Sequence, residues 1–153
     1  MLRVLVFLML PWLLFSLSGC VPSDPVIDSL PPYESKVMFT SGGFQDYTDY
    51  GKYTFPQLAE SALQGNPYLK KVTAEDLTIL QAYLDNFEDW IETHRRSEPQ
   101  GELVLGYDFD RAVLAEGDYY FIDEAESKIA FSNYDIYYFD TETNILYFFH
   151  NNI

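Results

Sequence analysis

Between Ala74 and His94 apolar residues return every third or fourth position, at Leu77, Leu80, Leu84, Phe87 and Ile91. That spacing predicts one continuous helical face. Ile79, Tyr83 and Trp90 widen it beyond a narrow seam, enough to lie on a sheet. Thr73 and Asp76 have the spacing of a capping box, so the helix start is written in the sequence. Glu75 and Asp76 meet the positive end of the helix dipole, and Arg95 and Arg96 follow the negative end.

After the break at Ser97-Glu98-Pro99-Gln100-Gly101 the pattern shortens to apolar runs of strand length. Glu102–Tyr107, Asp118–Ile122, Ile129–Phe131, Tyr134–Phe139 and Ile145–His150 are the predicted strands. The last two are joined by Asp140-Thr141-Glu142-Thr143-Asn144, a loop of hairpin length. Upstream, Ser35–Thr40 suits a first strand closed by Ser41-Gly42-Gly43. Phe55–Gln64 suits a short helix, with Thr54 as its cap, Pro56 in its first turn and Gly65-Asn66-Pro67 at its end. The runs YDIYYFD and ILYFFH are apolar on both faces. Such strands belong in the middle of a sheet, with the aromatic 44–55 segment or a partner covering the second face. The expected fold class is α+β: a meandering antiparallel sheet packed against one long amphipathic helix, plus a short helix.

The amino terminus has a different grammar. One early cation, Arg3, precedes an uncharged run from Val4 to Leu17, followed by small residues. This is the layout of an export signal, and Pro11 makes the run a poor membrane span. Leu17-Ser18-Gly19-Cys20 resembles the lipobox of bacterial lipoprotein precursors. The resemblance covers only the first twenty residues. It implies cleavage before Cys20, a diacylglycerol on its sulfur, a lipid bilayer as the first partner, and an extracytoplasmic address. The expected organisation is a signal peptide over 1–19, a lipidated Cys20 with a tether over 20–34, and a single α+β domain over 35–153. Four prolines in Val21–Glu34 favour a semi-extended tether of roughly 40 Å, at about 3.1 Å per residue. Folding back along the domain is the alternative.

Composition narrows the function classes. The formal net charge is −15, with 24 acidic side chains, so nucleic acid and anionic lipid are poor partners for the folded part. The single cysteine excludes disulfides and thiolate zinc sites, and no motif calls for a cofactor or a metal. Stability must come from packing. All 13 tyrosines lie beyond the leader, which is not the composition of a disordered chain.

Candidate chemistry centres on Phe44, Asp46, Tyr47, Asp49, Tyr50 and Tyr53, where rings alternate with carboxylates. Rings stack on apolar C–H surface while carboxylates accept from hydroxyl or amine donors. An envelope protein, a basic peptide or cell-wall glycan would suit them, unless the rings only roof the hairpin. Asp85, Glu88, Asp89 and Glu92 form an acidic helix stripe that reads as a solvated face. Asp108 and Asp110, or a carboxylate with His94 or His150, would serve an alternative hydrolase-type enzyme, but no nucleophile motif accompanies them. A third reading is an inhibitor or immunity-type protein that captures a basic partner. The pattern favours a non-catalytic binding module.

Overall fold

The computed structural model describes residues 23–43, 46–125 and 130–152. The leader, Cys20, Phe44 and Ile129 therefore lie outside the described residues.

Six strands form one antiparallel sheet: β1 (Ser35–Gly42), β2 (Tyr47–Thr54), β3 (Lys70–Lys71), β4 (Tyr119–Glu124), β5 (Asn133–Asp140) and β6 (Ile145–Asn152). Their order across the sheet is β1-β2-β6-β5-β4-β3. β4 to β6 form the expected meander; β3, which was not expected, pairs with β4 from across α3 in sequence, and the β1–β2 hairpin adds to the β6 side. Among the described residues four α-helices accompany it: α1 (Pro25–Asp28), α2 (Glu60–Gln64), α3 (Ala74–Ser97) and α4 (Glu102–Gly106). The fold is α+β, with one long helix.

α3 crosses one face of the sheet through Leu80, Leu84, Phe87 and Ile91, all buried. Its capping box is formed as the sequence predicts: Asp76 N–H donates to Thr73 Oγ1, and Thr73 N–H donates to Asp76 Oδ2. Tyr50, Tyr134, Ile136, Tyr138 and Phe149 meet the helix from the sheet. The opposite face carries Tyr53, Tyr119, Tyr137, Phe139 and Leu146. YDIYYFD and ILYFFH are thus central strands with both faces buried.

The cover on that second face corrects an expectation. Most of the 44–55 segment is strand β2 itself, and of its residues outside β2 Phe55 joins the cover. Val26, Ile27 and Leu30 pack there with it, together with Leu63 and Leu69. The described part of the proline-rich stretch is accordingly no free tether. Asp24 Oδ1 accepts from the N–H groups of Val26 and Ile27, folding α1 so that both apolar side chains turn inward. Burying apolar area here outweighs the extended preference of the prolines.

Two local assignments also change. Glu102–Tyr107 is helix α4 and the turn after it, not a strand. In a strand Leu103 and Leu105 would share a face, but Leu103 is 0% exposed and Leu105 is 67% exposed. The predicted helix over 55–64 shrinks to Glu60–Gln64, with Ala59 rather than Thr54 at its cap position. Phe55 stays extended because its N–H donates to Asn144 O at 2.9 Å and its ring is buried in the second core. Phe131, the end of the predicted 129–131 strand, is a turn residue with φ 58°.

Tyrosine–carboxylate bonds recur where the sheet meets its surroundings. Tyr50 donates to Asp108, Tyr83 to Glu124, Tyr107 to Glu88, Tyr120 to Asp76, Tyr137 to Asp24 and Tyr138 to Asp118. Each ring fills the core while its hydroxyl gives a carboxylate the charge-assisted partner it needs. This is how an acidic chain without disulfides holds its edges.

Candidate functional site

The register of the sheet builds the site. Asp49 on β2 pairs with His150 on β6, and His150 pairs with Asp135 on β5. Directly opposed residues share a face, so these side chains form a row on the second face, at the end that α1 leaves partly open. Asp123 on β4 continues the row beyond Asp135.

His150 Nδ1 lies 2.5 Å from Asp135 Oδ1, and the carboxylate accepts a hydrogen bond from it. The Tyr47 ring stacks on the imidazole at 4.6 Å, with Phe148 beyond it at 6.4 Å. His150 Nε2 and Asp49 Oδ1 are both buried without a hydrogen-bond partner. Two buried polar atoms without partners thus sit on directly opposed residues, and each unmade bond costs about 1–3 kcal/mol. Above the row is a shallow cleft of about 320 Å³, which Asp24 and Tyr137 close on the α1 side. Burial raises the Tyr137 hydroxyl pKa, and the nearby Asp135 and Asp24 carboxylates raise it further, so it stays a donor. Asp24 is occupied by that hydroxyl and by the cap of α1. Asp135 is engaged through Oδ1 by His150, and Asp49 Oδ1 has no partner.

The residues predicted from sequence divide between the faces. Tyr47 and Asp49 enter the cleft. Tyr53 is on the same face but buried in the second core, while Tyr50 points to α3 and is 0% exposed. A three-residue spacing cannot keep one face of a strand, whose period is two. Asp46 is exposed in the turn before β2, where its carbonyl accepts from Gly43 N–H. The row members that the 44–55 segment does not contain, Asp135 and His150, were legible in principle. Counting outward from the 140–144 turn places them opposite each other.

The other candidates are held by structural bonds. Asp108 takes Lys52 Nζ at 2.5 Å and the Tyr50 hydroxyl at 2.9 Å, whereas Asp110 caps the 3-10 turn at Arg111–Val113. The two do not converge. On α3, Asp85 and Glu88 both bind Arg111, and Glu92 binds Arg95 and Arg96, which neutralises most of the acidic stripe. His94 contacts Ser41 Oγ at 3.0 Å and Thr48 Oγ1 at 3.3 Å, and buttresses α3 against β1 and β2. A serine beside a histidine invites a nucleophile reading, but Ser41 is buried and its hydroxyl also reaches Glu98. The acid therefore does not orient the imidazole.

A second hollow, about 300 Å³, lies between Leu58, Leu63, Tyr119 and Phe139, with Glu60 and Lys71 paired at its mouth. Among the described residues no group of three or more His, Cys, Asp or Glu side chains could hold a metal ion. Among the same residues no helix is long and apolar enough to cross a membrane. No protein-family model, curated protein or solved structure matches the chain.

Proposed function

We propose that this chain is a lipid-anchored, extracytoplasmic binding module that captures a cationic group in the Tyr47–Asp49–Asp135–His150 cleft. The observation that carries the reading is the cross-strand row, in which two carboxylates flank an imidazole beneath an aromatic wall. Rings and carboxylates together suit a lysine or arginine side chain, which offers donors and an apolar stem at once. A neutral glycan would leave the carboxylate charges uncompensated. The anchor rests on Leu17-Ser18-Gly19-Cys20. Ser23, on the cleft rim, is three residues beyond Cys20, within about 11 Å at the reach of about 3.6 Å per residue.

Titration with penta-lysine and with a neutral cell-wall oligosaccharide tests the cleft. Asp49→Asn/Asp135→Asn should weaken penta-lysine binding at least tenfold without changing the melting temperature by more than a few degrees. Glycan binding that survives this variant, or penta-lysine binding that ignores it, would remove the cationic reading. For the anchor, wild type should carry acyl mass on Cys20 and Cys20→Ala should leave the membrane fraction.

A further inference from the structure

β4 is an unfinished edge. Its neighbour β3 pairs only Lys70 with Tyr120 and Lys71 with Tyr119. The ladder stops there because Asn66 Oδ1 accepts from the N–H groups of both Tyr68 and Leu69, at 2.9 and 3.0 Å. Those amides are turned away from β4, and Pro67 has none to offer.

The orientation of the free edge follows from two bonds. Val72 N–H donates to Asp118 O on the β3 side, whereas Ala125 N–H donates to Asn133 O on the β5 side. Strand alternation then aims the N–H and C=O groups of Ile122 and Glu124 outward. Among the described residues no strand meets them. A groove of about 620 Å³ runs along this edge, walled by Ile79 and Tyr83 of α3 and, at its β3 end, by Tyr68 and Phe121. Ile79 and Tyr68 are among the few large apolar side chains left exposed, at 42% and 36%.

We infer that β4 accepts an extended peptide as a seventh strand, with a Lys or Arg opposite Asp123 and an apolar residue on either side of it. The backbone of Ile122 and Glu124 supplies the main-chain bonds, as in β-strand addition. Residues opposite Ile122 and Glu124 would face the Ile79–Tyr83 wall. The residue between them would point to the other face beside Asp123, which is exposed. A second copy of this chain is a poor occupant. Antiparallel self-pairing centred on the free segment sets Asp123 against Asp123, and like charges directly opposed are destabilising. The formal charge of −15 on each copy adds to that repulsion. The edge adjoins the cleft through the Asp123–Asp135 pair, but its outward main-chain groups and its Ile79–Tyr83 wall are separate from it.

A displayed library of randomised seven-residue peptides, selected on the full chain in detergent, tests this. The expected enrichment is apolar–Lys/Arg–apolar. A synthetic winner, capped at both ends, should slow exchange of the Ile122 and Glu124 amides. Its affinity should fall tenfold or more with Asp123→Lys, and stay unchanged with the cleft variant Asp49→Asn, which lies on β2, away from this edge. Ile122→Pro removes an outward N–H without touching the β5 ladder, and should abolish binding. Should that variant unfold, Asp123→Lys and the exchange pattern decide alone. No enrichment, winners indifferent to Asp123→Lys, or winners lost with the cleft variant would each overturn the inference.

Discussion

Asp76 serves three partners with one carboxylate. It closes the Thr73 capping box, accepts from the Tyr120 hydroxyl and lies 3.4 Å from Lys70. Chiefly through the Tyr120 hydroxyl, then Thr73, its pKa is held down to about 2. A depressed carboxylate contributes stability that is present above the unfolded value of about 3.9 and is lost as pH falls through the folded one. Unfolding followed from pH 6 to pH 2 should therefore show a loss between pH 4 and 2 that is smaller in Asp76→Asn. An equal loss in both proteins would assign the acid sensitivity elsewhere. The capping box was legible because its members are three residues apart. The row of Asp49, His150 and Asp135 was not, because two distant strand pairings assemble it. Its hairpin half followed from the 140–144 turn. Its other half needed the pairing of β2 with β6, which no local spacing announces.

Secondary structure was legible in proportion to its length. α3 repeats its apolar step enough times to identify itself, and local bonds of Arg95, Arg96 and Ser97 to Glu92 and Thr93 accompany its last turn to Ser97. α4 is five residues long, too short to display a period, and its apolar run Leu103-Val104-Leu105 reads as a strand until Leu103 and Leu105 are seen to part. Contact with β1 decides the matter. A Cβ on Gly106 would sit 2.3 Å from the Phe39 ring, so only glycine lets this helix end lie on the strand. Gly106→Ala should destabilise the protein by about 1–3 kcal/mol, the usual cost of overpacking, in a urea titration. No change in midpoint would mean that α4 is free to shift away. The 55–64 segment teaches the same lesson. Its proline suits a helix start, yet the burial of Phe55 keeps the chain extended.

Both broad faces of the sheet are closed within the chain, one by a single long helix and the other by scattered pieces from residues 26–30 and 55–69. The need for a second cover was readable from the aromatic strands. Which residues supply it was not, since the proline spacing of 21–34 reads as a linker. Ile27→Ala measures how firmly that piece is held. A buried position predicts a loss of about 2–5 kcal/mol in global stability. A segment merely resting on the surface would lose less than about 0.5 kcal/mol. The docked α1 also changes what lipidation would do. A long lead would let the domain wander over a hemisphere and meet soluble ligands. On the proposed reading, acylation of Cys20 would moor the protein alongside the bilayer, with Ser23 on the cleft rim. Its opening would then patrol a thin layer, and lateral diffusion would govern whom it meets. Partners fixed in the same membrane gain effective concentration that free ones do not.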